Sequence, residues 1–223
     1  MPGTYDRFGD AVRSVIRAYH GSPFDFDKFD SSKIGTGMRN QQYGHGLYFI
    51  EDEKKADELR EFLAAHYWLP EGKRGRVYEV EIPHSEDDFL DWQGAMDLDS
   101  DVNHRAYGVV WQTMHRTDDP DMRDSLSVHL EDPSYFDGGD FYTVLSDALG
   151  PPGASDALLE AGIPGLRYDD GLTGTGGKRN YVMFPGTEDR IRILRKYGLL
   201  PATLGAEGLL NQQSGEGSPA PAF

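Results

Sequence analysis

The stretch Gly44-His45-Gly46-Leu47-Tyr48-Phe49-Ile50, followed at once by the charged run from Glu51 to Leu59, constrains the fold of this chain more than any other segment. Two glycines around a histidine mark a backbone that turns unusually or approaches something closely. Leu47 to Ile50 is too short and apolar for anything but a buried-type strand. Strand alternation sends Tyr48 and Phe49 to opposite faces, so one ring can line a cleft while the other packs in a core. The run that follows places Ala56, Leu59, Leu63 and Tyr67 on one side, which predicts a helix closed by Pro70. A strand that enters a helix straight from a glycine-flanked turn is a place where a flat ligand can dock.

The neighbouring elements follow from the same patterns. Residues 1–14 read as a loose lead-in or short helix. Ser14 to Gly21 alternates and predicts a strand ending at His20-Gly21. Ser22 to Gly46 is rich in Gly, Ser and Asp and reads as a long loop, a length that usually carries function. Gly75 to Pro83 alternates cleanly as a strand, with Val77, Glu79 and Glu81 offset from Tyr78, Val80 and Ile82. Residues 84–152 differ: an acidic irregular start, a helix over Val102–Arg116, a polar loop-like stretch over 118–140, and a helix from Phe141 stopped by Gly150-Pro151-Pro152. Ser155 is then the expected N-cap, and Gly162 the C-cap, of a further helix. Strands are expected at Leu166–Asp169, Arg179–Phe184 and Asp189–Leu194, with a flexible glycine-rich loop over 171–178. Strands at both ends with helices between them argue for an α+β fold rather than an alternating parallel one. The expectation is one domain over residues 1–200, with 84–152 as a mostly helical insertion and 201–223 as a flexible Gly/Ser/Pro/Ala-rich tail.

Composition narrows the function classes. The chain has no cysteine, which removes disulfides and thiolate chemistry. Its net charge of −16 opposes nucleic acid at long range without excluding a local basic groove. No apolar run approaches a membrane span and no signal-peptide pattern opens the chain, so a soluble, cytoplasmic protein is expected. No histidine spacing makes a metal site. The glycine motifs Gly35-Thr36-Gly37 and Gly174-Thr175-Gly176-Gly177 lack the strand–turn–helix setting of a dinucleotide fingerprint.

Taken in order, Tyr19-His20-Gly21-Ser22-Pro23, Tyr43-Gly44-His45-Gly46-Leu47-Tyr48-Phe49, Val77–Pro83, Phe89-Leu90-Asp91-Trp92 and Ala154–Tyr168 with Asn180–Phe184 resemble the motifs of the ADP-ribosyltransferase fold. The resemblance is to its diphtheria-toxin and poly-ADP-ribose-polymerase branch, and within it to the domains found in phage and mobile-element polyvalent proteins. It spans Arg17 to Leu194 and implies a split β-sheet core that binds NAD as substrate. By that resemblance, His20 hydrogen-bonds a ribose hydroxyl and Gly21 pairs its backbone with the nicotinamide carboxamide. Tyr48 stacks on the nicotinamide ring, with Gly44 and Gly46 leaving room for it. Ser22, Tyr43 and Gly46 belong to the NAD-binding set, and the loop from Pro23 to Tyr43 covers the ligand. His45 is open to either a loop or a ligand role.

Two departures from the family pattern bear on activity. The glutamate that precedes the tyrosine of the last motif is replaced by Asn180. An amide can hydrogen-bond a ribose hydroxyl but cannot stabilise a cation by charge or take a proton. Asp169, Asp170 and Glu58 are the carboxylates that can supply the missing charge. The second tyrosine that sandwiches the ring is absent from the helix after Tyr48, leaving Tyr43, Phe24 and Tyr181 as candidates. The expectation is an NAD-dependent mono-ADP-ribosyltransferase with His20, Tyr48 and Asn180 at its centre, a phage or bacterial effector or toxin. A protein acceptor is favoured and nucleic acid stays open. The alternatives are an NAD- or ADP-ribose-binding module without turnover, and an NAD glycohydrolase.

Overall fold

The computed structural model describes residues 14–35, 41–67, 75–169 and 178–198. The lead-in, the Pro70 helix stop, the glycine-rich loop with Asp170, and the tail lie outside these residues. Seven strands form one mixed sheet in the order β4-β5-β6-β2-β1-β3-β7, so the chain is α+β as expected. The strands are β1 (Ile16–Ser22), β2 (Leu47–Ile50), β3 (Arg76–Ile82), β4 (Leu90–Asp91), β5 (Gly165–Tyr168), β6 (Asn180–Met183) and β7 (Arg192–Tyr197). Among the described residues four α-helices accompany them: α1 (Glu53–His66), α2 (Asp101–Arg116), α3 (Pro120–Glu131) and α4 (Gly138–Glu160). Among the described residues no helix is long and apolar enough to cross a membrane.

Alternation sorts the side chains onto two faces. Ile16, Ala18, Phe49, Tyr78, Val80, Ile82, Tyr181 and Met183 pack on one face under Phe29 and Phe89. On the other face, Leu166, Tyr168 and Val182 pack against α2, α3 and α4 through Val110, Leu126, Phe141 and Leu158. The segment 84–152 is therefore no appendage: it adds the edge strand β4, parallel to β5, and half of the core. The charged offset of β3 is also used, since buried Glu79 pairs with Arg17 and Arg195.

The structure corrects three sequence readings. Residues 120–131 form α3 rather than a loop: Asp119 caps the helix by accepting from the N–H groups of Asp121 and Met122, and Pro120 occupies the first turn, where its missing N–H costs nothing. Ser155 is not an N-cap. The helix breaks at Gly150 (φ 75°, ψ 156°) and restarts at Pro151, leaving Ser155 buried inside α4. The buried face of α1 is Ala56, Asp57 and Arg60, with Arg60 Nε donating to Asp57 at 2.6 Å, rather than an apolar stripe.

Glycines separate close approach from open space. A Cβ on Gly46 would meet the Met183 carbonyl oxygen at 2.4 Å, whereas one on Gly108 in α2 would meet nothing within 4 Å. Gly46→Ala is expected to cost about 2 kcal/mol or more by forcing β2 from β6. Gly108→Ala is expected to gain about 1 kcal/mol of helix propensity. Urea unfolding of the two variants checks both signs.

Candidate functional site

The three segments singled out by sequence lie on adjacent strands, β1, β2 and β6. β2 pairs with β6 along its whole length, Tyr48 opposite Val182 and Ile50 opposite Asn180. Its ladder with β1, by contrast, consists of the single pair Tyr19 and Ile50. Past Tyr19, no strand among the described residues pairs with the edge of β1 that faces β2, so the sheet opens beside His20, Gly21 and Ser22.

His20 bridges that opening. Its Nδ1 lies 2.8 Å from the carbonyl oxygen of Tyr48. A carbonyl only accepts, so Nδ1 carries the proton and Nε2 of the neutral ring keeps a lone pair. The ring is walled by Phe29, Phe49, Phe26 and Tyr78, with centroids 5.4 to 6.2 Å away. Burial lowers its pKa below the ordinary histidine value, and the bond to Tyr48 offsets this only in part. His20 is thereby held neutral, as a hydrogen-bond acceptor at Nε2.

Tyr48 lies on the opposite face from the His20 ring, partly buried. Its hydroxyl donates to the Gly44 carbonyl at 2.8 Å and accepts from the Tyr43 N–H at 3.1 Å. Burial raises its pKa. With the hydroxyl occupied, the ring face is what Tyr48 has to offer a ligand. The turn before it is held by the helical layer: the His45 N–H donates to Tyr142, and the Ser155 hydroxyl donates to the His45 carbonyl, both at 2.8 Å. His45 itself pairs Nδ1 with Gln41 at 2.7 Å, which makes it part of the turn.

Asn180 carries the least explained polar group of the site. It is 2% exposed, and its Oδ1 is buried without a hydrogen-bond partner. Alternation places it on the Tyr48 face, between Ile50 of β2 and Tyr168 of β5. A buried amide oxygen left unpaired costs roughly 1–3 kcal/mol, so such groups in native proteins call for a ligand, a water or a function.

Several expected roles change. The space at Gly44 and Gly46 is filled by the protein itself, namely Leu166 and Tyr142 at the first and β6 at the second, so these glycines serve packing rather than leaving room for a ring. Gly21 is glycine because α1 crosses it, a Cβ there falling 2.0 Å from the Ala56 carbonyl oxygen. Ser22 accepts from the Phe24 N–H and closes a turn. Tyr181 is fully buried on the far face and bonded to Glu51, so it is no sandwich partner. Phe24 packs edge-on against Tyr67 instead. Tyr43 is stacked on Tyr168 at 3.9 Å with Trp92 edge-on to it, which builds an aromatic wall beside Tyr48. Sequence reasoning missed Tyr168, although its place two residues past Leu166 in a strand fixes its face.

Of the candidate carboxylates only Glu58 is shown in ion pairs, and Asp170 lies outside the described residues. Glu58 pairs with Lys54 and Lys55, and the Asp169 backbone is tied to Gln93. Glu51, also missed, follows Ile50 directly and accepts from the Tyr181 hydroxyl at 2.7 Å and the Arg179 N–H at 2.9 Å. Lys178 pairs with Asp52. Among the described residues no group of three His, Asp or Glu side chains is placed to hold a metal.

Comparison with protein-family models, with curated proteins and with solved structures gave no match to this chain.

The buried neutral His20 has a stability signature. The folded state holds a depressed pKa, so the unfolded chain takes up the proton first as the pH falls. Stability is complete above the ordinary histidine range and declines as the pH drops through it. His20→Gln is expected to flatten this decline between about pH 7 and 5, measured as melting temperature against pH. An unchanged slope would remove His20 as the titrating group.

Proposed function

We propose that the chain is an NAD-dependent mono-ADP-ribosyltransferase with a split-sheet site at the β1–β2 junction, an effector or toxin of phage or bacterial origin acting on a macromolecule in a bacterial cytoplasm. The observation that carries this reading is the unpaired, buried Asn180 oxygen on the Tyr48 face, opposite Ile50, the residue at which β2 still pairs with β1. A polar acceptor and a tyrosine face share one side of the sheet, and the open β1 edge begins one residue past the pair with Ile50; these suit a ribose hydroxyl, a flat ring and a carboxamide in turn.

In this reading the nicotinamide carboxamide pairs with the open backbone edge at Gly21, and the ring lies on Tyr48. Asn180 Oδ1, on the same face as Tyr48, accepts a ribose hydroxyl, while His20, whose ring lies on the other face, acts by holding the Tyr48 carbonyl in place. The bond between the ribose C1′ and the nicotinamide nitrogen breaks, and its electron pair leaves on the ring, which departs neutral. Positive charge develops on the ribose, as in glycoside cleavage. The acceptor's lone pair then bonds to C1′ from the opposite face, and its proton passes to solvent. The aromatic wall of Tyr43, Tyr168 and Trp92 limits water on that side. The step needs no metal, and the anionic phosphates need no more than local neutralisation.

A second reading is favoured by the same residue. Asn180 brings no charge to the developing cation, and Glu51 is held by Tyr181 and Arg179. On this reading the chain is an NAD-binding module without turnover.

Radiolabelled NAD incubated with the protein and a bacterial lysate, with and without nuclease, separates the readings. Transfer predicts label in a macromolecular fraction, and nuclease resistance assigns it to protein. Free ADP-ribose alone indicates hydrolysis. NAD binding without consumption selects the module, and neither binding nor consumption defeats both readings. Asn180→Ala is expected to change folding stability by about 1 kcal/mol or less, because its oxygen bonds nothing in the fold. The same change is expected to weaken NAD binding at least tenfold, read by titration calorimetry.

A further inference from the structure

The net charge of the chain is segregated. Residues 84–160 hold 18 of the 38 acidic residues and 3 of the 22 basic ones, leaving 20 and 19 for the remainder. The strand-rich part is thus close to neutral, as suits a dinucleotide with two phosphates, and the helical layer carries almost the whole of the −16. Within α2 to α4 the only carboxylate in an ion pair among the described residues is Asp101, with Arg105. Asp121, Asp124 and Glu131 on α3 are all exposed and unpaired.

A second observation is independent of charge. Trp111 on α2 is 48% exposed and Val128 on α3 is 52% exposed. Trp111 shares its outward stripe with His104 and His115, and the His115 ring lies against it at 4.0 Å. Val128 shares its stripe with Asp121, Asp124 and Ser125, all exposed. The only residue that α3 buries fully is Leu126. Val128 is thus exposed on a helix that spends little of itself on the core, and Trp111 is exposed on the neighbouring helix. Aromatic anchors ringed by polar groups are where binding energy concentrates.

We propose that the outward faces of α2 and α3 dock a basic protein segment, with Trp111 and Val128 as apolar anchors and the unpaired carboxylates of α3 meeting its lysines and arginines. Charge complementarity selects this occupant. Nucleic acid and anionic membranes are repelled by such a surface. A bound cation is disfavoured because no three carboxylates converge among the described residues. A second copy would bring like charge against like charge. Docking stands apart from the transferase reading; only taking the bound protein as the ADP-ribose acceptor rests on it.

The test uses the full chain and a fluorescently labelled, lysine- and arginine-rich peptide of about 20 residues at ~0.15 M salt, an ionic strength that screens distant charges. Binding is read by anisotropy for Trp111→Ser, for the triple change Asp121→Asn, Asp124→Asn and Glu131→Gln, and for a control triple change Glu58→Gln, Glu61→Gln and Asp189→Asn on the sheet half. The expected result is at least a fivefold loss for Trp111→Ser at unchanged charge, at least a tenfold loss for the α3 triple, and less than twofold for the control. Melting temperatures report folding of each variant, and NAD titration is expected to be unchanged by the first two. No peptide binding, a control loss equal to the α3 loss, an indifferent Trp111→Ser, or a Trp111-dependent dimer in sedimentation would each overturn the proposal. Loss of NAD binding in every protein, wild type included, would instead strike the transferase reading and leave this one standing.

Discussion

Between β1 and β2 the sheet is joined by one ladder pair, and the imidazole of His20 spans the gap to the carbonyl of Tyr48. A neutral amide-type hydrogen bond contributes on the order of 1 kcal/mol net. This one has more to do than stabilise. It fixes the tautomer of His20, it keeps two halves of a sheet in register where strand pairing has stopped, and it leaves Nε2 free. The two apolar cores lie on opposite faces, and the strand that carries Tyr48 and Phe49 belongs to both. Opening the junction would therefore disturb both cores at once.

The helical layer reaches the same place from the other side. Tyr142 and Ser155, both on α4, bind the two backbone groups of His45 and so hold the turn that delivers Tyr48. Tyr43 is fixed at both ends, by its N–H on the Tyr48 hydroxyl and by its ring on Tyr168. The result is a site whose aromatic wall comes from β5 and the loop before β2. It does not come from α1, the helix after β2, whose buried face is Ala56, Asp57 and Arg60.

Much of this was legible in the chain. The alternation of Tyr78, Val80 and Ile82 gave β3, and the glycine-flanked turn before Tyr48 gave β2 and α1. The polar stretch over 118–140 hid an Asp-Pro helix start whose apolar residues recur at Met122, Leu126 and Leu130. That periodicity is weak because α3 buries so little, so the polar composition outweighed it. Gly46 reads in the sequence as room for a ligand ring and Gly21 as ligand-facing backbone, but what approaches them is β6 in one case and α1 in the other. A sequence shows that a Cβ is not tolerated; only the fold shows which neighbour forbids it. Tyr168 and Glu51 escaped notice because their roles arise from pairing between strands distant in sequence.

Asn180 is where the account is most exposed. Its oxygen is buried and unpaired, on the face and at the strand position where a ribose hydroxyl would complete it. The measurement that tests this most directly is a crystal structure with a non-cleavable carbocyclic analogue of NAD. The account predicts the carboxamide against the backbone edge at Gly21, the ring on Tyr48, and a nicotinamide-side hydroxyl within hydrogen-bond distance of Asn180 Oδ1. A dinucleotide bound elsewhere on the chain, with the β1–β2 opening untouched and the Asn180 oxygen still unpaired, would contradict it.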